Sequence, residues 1–77
     1  MELELDRDVD AAYVSLSGDE VKNTRKLDQS RLLDLDVQGS VVGIEFLDVS
    51  RGVDLSDLPR QRELRQLFDE HQIRQLA

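Results

Sequence analysis

The chain has 77 residues, with 17 acidic and 10 basic side chains and a formal net charge of −7. A chain of this length forms one small domain that buries roughly 60 to 65 % of its unfolded surface. The negative charge makes nucleic acid and anionic membrane surfaces unfavourable partners. There is no cysteine, so disulfides and thiolate metal sites are excluded.

The charge is unevenly distributed along the chain. Residues 1–57 carry a net charge of −8 and residues 58–77 a net charge of +1, which favours a basic protein as partner. The start of the chain lacks the basic and apolar stretches of a signal peptide, and no window approaches the roughly 20 apolar residues of a membrane span. We therefore expect a cytoplasmic location.

Short alternating segments predict an antiparallel β-meander of about five strands over residues 1 to about 47. Alternation in 2–5 is typical of a half-buried edge strand, and a polar turn follows at 6–10. Residues 12–16 and 21–27 predict the second and third strands, and 33–46 predicts a hairpin that supplies the fourth and fifth. The turns between them are too brief for the helical crossovers that a parallel sheet requires.

The hairpin defines two faces. A tight turn at Gln38-Gly39 pairs Leu35 with Val42, Asp34 with Gly43 and Leu33 with Ile44. We expect Gly39 to need a positive φ, and we expect another group to lie close over Gly43, because glycine otherwise weakens a strand. The predicted core face comprises Leu33, Leu35, Val42, Ile44 and Phe46. The predicted outward face comprises Asp34, Asp36, Val41, Gly43 and Glu45.

After an irregular connection over 48–56, the sequence predicts one C-terminal helix packed on the core face of the sheet, so the predicted fold class is α+β. Ser56-Asp57 offers an N-cap, and Pro59 is tolerated in a first turn. Helical spacing aligns an apolar stripe and ends near His71, so the helix covers about 57–71. The tail, 72–77, is compatible with a frayed end, a sixth short strand or a partner-binding segment. The stripe consists of Leu64, Leu67, Phe68 and His71.

No residue constellation predicts a catalytic centre, a metal site or a cofactor site. Asp6, Asp8 and Asp10 have the spacing of the first ligands of a calcium loop, but the glycine and glutamate that should follow are replaced by Ala11 and Ser17. The carboxylates on the outward face of the hairpin are typical of a solvated sheet surface. Tyr13 has the opposite parity to Ala12 and Val14, which places it on that face as the candidate cover for Gly43. The candidate interaction face is Tyr13, Asp34, Asp36, Gly43 and Glu45.

Three segments carry a resemblance to a known family. They are Asp10-Ala11-Ala12-Tyr13-Val14-Ser15-Leu16, then Leu35-Asp36-Val37-Gln38-Gly39-Ser40-Val41-Val42-Gly43-Ile44-Glu45-Phe46-Leu47, and Val49-Ser50. In these segments the chain resembles domain-of-unknown-function family 2283, which consists of small prokaryotic proteins. The likeness covers roughly residues 1–52. It implies no established activity and no catalytic residue.

The function expected from the sequence is a non-enzymatic protein-interaction module. A homodimer is also expected, with Leu3 and the segment from Ile73 to Leu76 as candidates for pairing with a second copy. The family resemblance implies one alternative, an antitoxin-like inhibitor of a small basic partner. A weak metal-binding or hydrolytic protein that uses surface carboxylates is the other alternative.

Overall fold

The computed structural model describes residues 1–76 and contains a five-stranded antiparallel sheet and one C-terminal helix. The strands are β1 (Glu2–Asp6), β2 (Ala11–Ser15), β3 (Asn23–Asp28), β4 (Arg31–Leu35) and β5 (Val41–Leu47), followed by a 3-10 turn (Val49–Arg51) and helix α1 (Gln61–Glu70). The predicted α+β class is confirmed. The strand order β1-β2-β5-β4-β3 is not that of the predicted meander, because β5 lies between β2 and β4 and places β3 at the edge of the sheet.

The hairpin of β4 and β5 has the predicted register over most of its length, but its turn differs from the predicted one. Asp34 pairs with Gly43 and Leu33 with Ile44, as predicted, whereas Leu35 pairs with Val41 instead of Val42. The loop is one residue longer than predicted, since the Asp36 amide donates to the Ser40 carbonyl at 2.9 Å. A bulge next to Leu35 restores the register. Gly39 has φ +84°, which confirms the positive φ.

One face of the sheet packs against α1 to form the core. Leu33, Val42, Ile44 and Phe46 are buried as predicted, while Leu35 is only partly buried. Val41, predicted for the outward face, instead packs against the core, because one extra residue in β5, Val42, shifts the side that Val41 faces. The Phe46 and Phe68 rings meet edge to face with their centroids 5.0 Å apart, a favoured aromatic geometry.

The helix is shorter than predicted at its N-terminus. It begins at Gln61, so the predicted N-cap at Ser56-Asp57 is wrong. The side chains of Leu55 and Leu58 are buried in an irregular segment, and Arg60, immediately before the helix, has φ +55°. Because this residue has a left-handed conformation, the helix does not extend into the preceding segment. Packing in the core, instead of helical hydrogen bonding, determines the conformation of that segment.

The C-terminal end of α1 lies close to its predicted position. The helix ends at Glu70, and His71 follows as its C-cap with its Nδ1 atom 2.9 Å from the Leu67 carbonyl oxygen. His71 is exposed, although its place on the apolar stripe predicts partial burial.

Of the three alternatives for the tail, the structure comes nearest to a sixth short strand, although only a single bridge forms. Gln75 forms an isolated parallel bridge with Val53, and the Leu76 amide donates to the Val53 carbonyl at 2.7 Å. The last residue of the predicted tail, Ala77, lies outside the described residues.

Candidate interaction face

The face of the sheet opposite α1 is defined by two rows of paired residues. One row runs Glu4, Tyr13, Glu45, Leu32, Lys26, and the other runs Glu2, Ser15, Gly43, Asp34, Thr24. Because side chains alternate along each strand, these ten residues point away from the core residues that contact the helix. We call these ten residues the outer face.

Tyr13 lies across the centre of the outer face. A Cβ atom added to Gly43 would overlap the Tyr13 hydroxyl and would lie 2.6 Å from the ring carbon Cζ. Glycine is therefore the one residue type that leaves room for the ring at this position. The sequence-based prediction that Tyr13 covers Gly43 is confirmed.

A hydrogen-bonded chain holds the ring in place. The Tyr13 hydroxyl donates to Asp34 Oδ2 at 2.7 Å, and the Thr24 hydroxyl donates to Asp34 Oδ1 at 2.7 Å. These bonds join β2, β4 and β3 across the central strand. Asp34 is thus a structural member of the outer face whose two carboxylate oxygens both have partners in the chain.

The surroundings of Tyr13 disfavour its ionised form. Burial and the carboxylates of Asp34 and Glu45, together with the hydrogen bond to Asp34, raise the pKa of Tyr13 to about 12. Ionisation would place a phenolate beside two negative charges, which costs free energy. Tyr13 is consequently a neutral hydrogen-bond donor at physiological pH.

Asp36 is separated from the other predicted site residues. It lies in the turn between β4 and β5, where its Oδ1 atom accepts hydrogen bonds from the Gln38 and Ser40 amides, both at 2.9 Å. An aspartate that binds backbone amides two residues ahead is a common turn-forming device. The structure therefore brings Tyr13, Asp34, Gly43 and Glu45 together and gives Asp36 a structural place in the loop.

The alternating aspartates of the first turn also have structural partners. Asp6 accepts the Asp8 amide at 3.0 Å, and Asp10 binds both the amide and the hydroxyl of Ser50 at 3.0 and 2.7 Å. Within residues 1–76, no group of three or more histidine, aspartate or glutamate side chains is placed to hold a metal ion. Asp10 joins the β1–β2 turn to the 3-10 turn.

Arg31 is not among the residues predicted from the sequence to have a special role. It is buried, with only 6 % of its surface exposed. Its Nη2 atom donates to Asp28 Oδ2 at 2.7 Å, and its Nη1 atom donates to the carbonyls of Asp54 and Ser56 at 3.1 and 2.6 Å. Hydrogen bonding to Arg31 lowers the pKa of Asp28. The sequence does carry a signal for this burial, because Arg31 alternates with Leu33 and Leu35 and therefore lies on the core side of β4.

The fold and the outer face define a class of small acidic α+β protein in which one helix covers one side of an antiparallel sheet and leaves the other open. No helix formed by residues 1–76 is both long and apolar enough to cross a membrane.

The chain belongs to the family described as "Protein of unknown function (DUF2283)", whose model matches residues 3–50. The matched range covers all five strands except Glu2, the first residue of β1, and ends at Ser50, the partner of Asp10. Comparisons with curated proteins and with solved structures found no match.

Proposed function

We propose that this protein is a non-enzymatic protein-interaction module of the cytoplasm that binds a basic partner through the outer face. The observation that carries the proposal is a sheet face that α1 leaves uncovered, with a fixed tyrosine at its centre and carboxylates around it. Glu2, Glu4 and Glu45 are exposed, and among the described residues none of their side chains has a hydrogen-bond or ion-pair partner. These three carboxylates are free to pair with cations from outside.

The rigidity of the central tyrosine supports the proposal. Aromatic residues contribute much of the binding energy at protein interfaces, and a side chain that is already ordered loses less conformational entropy on binding. Tyr13 is held by Asp34 on one side and by the surface of Gly43 beneath. The acidic groups around it would favour encounter with a basic partner, particularly at low salt.

The two alternatives receive different support. An antitoxin-like inhibitor of a small basic protein is a narrower form of the same proposal, because it uses the same charge complementarity. A metal-binding or hydrolytic role has no comparable support, since the carboxylates of Asp10 and Asp34 already bind hydroxyl groups of the chain.

A matched pair of variants tests the proposal. Glu4→Lys with Glu45→Lys reverses two charges on the outer face, while Glu20→Lys with Glu70→Lys makes the same change in net charge at exposed positions elsewhere. Affinity capture from cytoplasm of the native host should recover a basic partner with the unmodified chain and with the second variant. The outer-face variant should lose it while keeping its fold by circular dichroism. Equal capture by all three chains would refute the proposed face.

A further inference from the structure

Strand β1 forms one edge of the sheet. It pairs with β2 through five residue pairs, from Glu2–Ser15 to Asp6–Ala11, and no other described strand lies beside it. In an antiparallel pair, alternate residues direct their backbone N–H and C=O groups away from the neighbouring strand. The outer side of β1 therefore presents a row of backbone donors and acceptors that an added strand can bind.

The side chains of β1 alternate in chemistry. Glu2, Glu4 and Asp6 are exposed, whereas Leu3 and Leu5 on the other side are partly buried against the core. An added strand would place its own side chains about 5 Å from these residues on each face. The complementary strand has lysine or arginine beside the carboxylates and apolar residues beside the two leucines.

The opposite edge has the opposite charge. Strand β3 carries the exposed Arg25 and Lys26, so a basic strand would be repelled there and attracted to β1. A second copy is a poor match for β1, because antiparallel pairing with the cores on the same side sets carboxylates directly against carboxylates. Like charges in such cross-strand positions are destabilising.

We propose that β1 accepts a sixth strand from the partner, an extended segment in which basic and apolar residues alternate. The inference rests on the proposed function and adds the binding mode to it. Main-chain hydrogen bonds supply affinity in this mode, and the alternate side chains supply specificity. The basic side chains of the added strand continue the outer face beyond Glu2 and Glu4.

The experiment is an NMR titration of the isotope-labelled full chain with peptides of alternating lysine and valine, long enough to span β1. The unmodified peptide should shift the amide signals of residues 2–6 and should protect the alternate amides that point away from β2. Two comparison peptides carry N-methyl groups, one on every valine and the other on every lysine. The N–H groups of lysine and valine point to opposite edges of the extended peptide, so only one of the two sets faces β1. The peptide that is methylated on that set should bind at least about tenfold more weakly than the unmodified peptide.

A protein variant gives an independent control. Glu4→Lys should weaken binding of the unmodified peptide about tenfold, while Glu20→Lys should leave it close to the original value. Shifts centred on β3 would overturn the proposal, as would concentration-dependent self-association that protects β1 without peptide. Equal binding of all three peptides would overturn strand addition but leave the proposed function intact, because charge alone would then explain binding. Failure of the proposed function itself would appear in the capture experiment.

Discussion

At position 43 the chain has a glycine because the Tyr13 ring occupies the space that a side chain would need. Gly43→Ala should lower the free energy of unfolding by about 1 to 3 kcal/mol, the usual cost of an overpacked site. Gly18→Ala is the matched control, since no atom beyond the adjacent residues lies within 4 Å of a Cβ at that position, and should change stability by less than about 0.5 kcal/mol. Urea denaturation measures both changes.

The same substitution in a Tyr13→Ala background separates crowding from backbone effects. Gly43→Ala should then cost much less, because its new methyl group no longer meets the ring. An equal cost in both backgrounds would show that Tyr13 does not set the requirement for glycine.

The titration of Tyr13 reports the electrostatics of the outer face. The chain has one tyrosine and no tryptophan, so the near-ultraviolet absorbance of phenolate follows this residue alone. The folded chain should titrate with a pKa of about 12, against about 10 in the urea-unfolded chain. Because the folded pKa is the higher one, the stability that Tyr13 contributes is complete below about pH 10 and is lost as the pH rises towards 12.

A substitution identifies the cause of this pKa shift. Asp34→Asn removes a negative charge beside the hydroxyl and should lower the pKa of Tyr13. A folded variant with an unchanged Tyr13 pKa would argue against the contact between the two side chains.

At the level of strands and loops, Arg31 ties β4 to the connection before α1. Arg31→Ala should lower the free energy of unfolding by about 2 to 4 kcal/mol, because buried hydrogen-bond acceptors lose a charged donor. Arg62→Ala, at an exposed position on the helix, should change it by less than about 0.5 kcal/mol. A similar small effect at both positions would contradict the role of Arg31.

The ion pair of Arg31 and Asp28 also predicts a pH dependence. Since Arg31 lowers the pKa of Asp28, the stabilisation from this carboxylate is complete above its ordinary pKa of about 4 and is lost as the pH falls through its lower folded value. Arg31→Ala removes this contribution, so the two chains should differ less in stability near pH 2 than near pH 7. Urea denaturation at both pH values makes the comparison.

The sheet was largely predictable because burial on one side imposes alternation on each strand. Ile44 and Phe46 were placed in the core on this basis, and Tyr13 over Gly43 followed from the same parity. The bulge next to Leu35 was not predictable. A turn that is one residue longer, together with a bulge that compensates for it, leaves the alternation of apolar and polar residues unchanged in the part of the hairpin away from the turn.

The start of the helix and the role of Arg31 were not predicted, because both depend on contacts between residues that are distant in sequence. The helix begins late because Leu55 and Leu58 are held in the core, and this tertiary effect overrides the local capping signal at Ser56-Asp57. Arg31 was missed because its partners Asp54 and Ser56 are more than twenty residues away.

At the scale of the whole molecule, we propose that the two sides of the sheet have different roles. The inner side and α1 provide the core, while the outer face and the β1 edge remain available for a partner. The net charge of −7 would then serve recognition of a basic protein as well as solubility.

Zero-length cross-linking of the captured complex tests this account most directly, because a carbodiimide joins a carboxylate only to an amine that lies in contact with it. Mass spectrometry should locate the links between partner lysines and Glu2, Glu4 or Glu45. Links concentrated at Glu63, Glu70 or Glu20, with none on the outer face, would contradict the account.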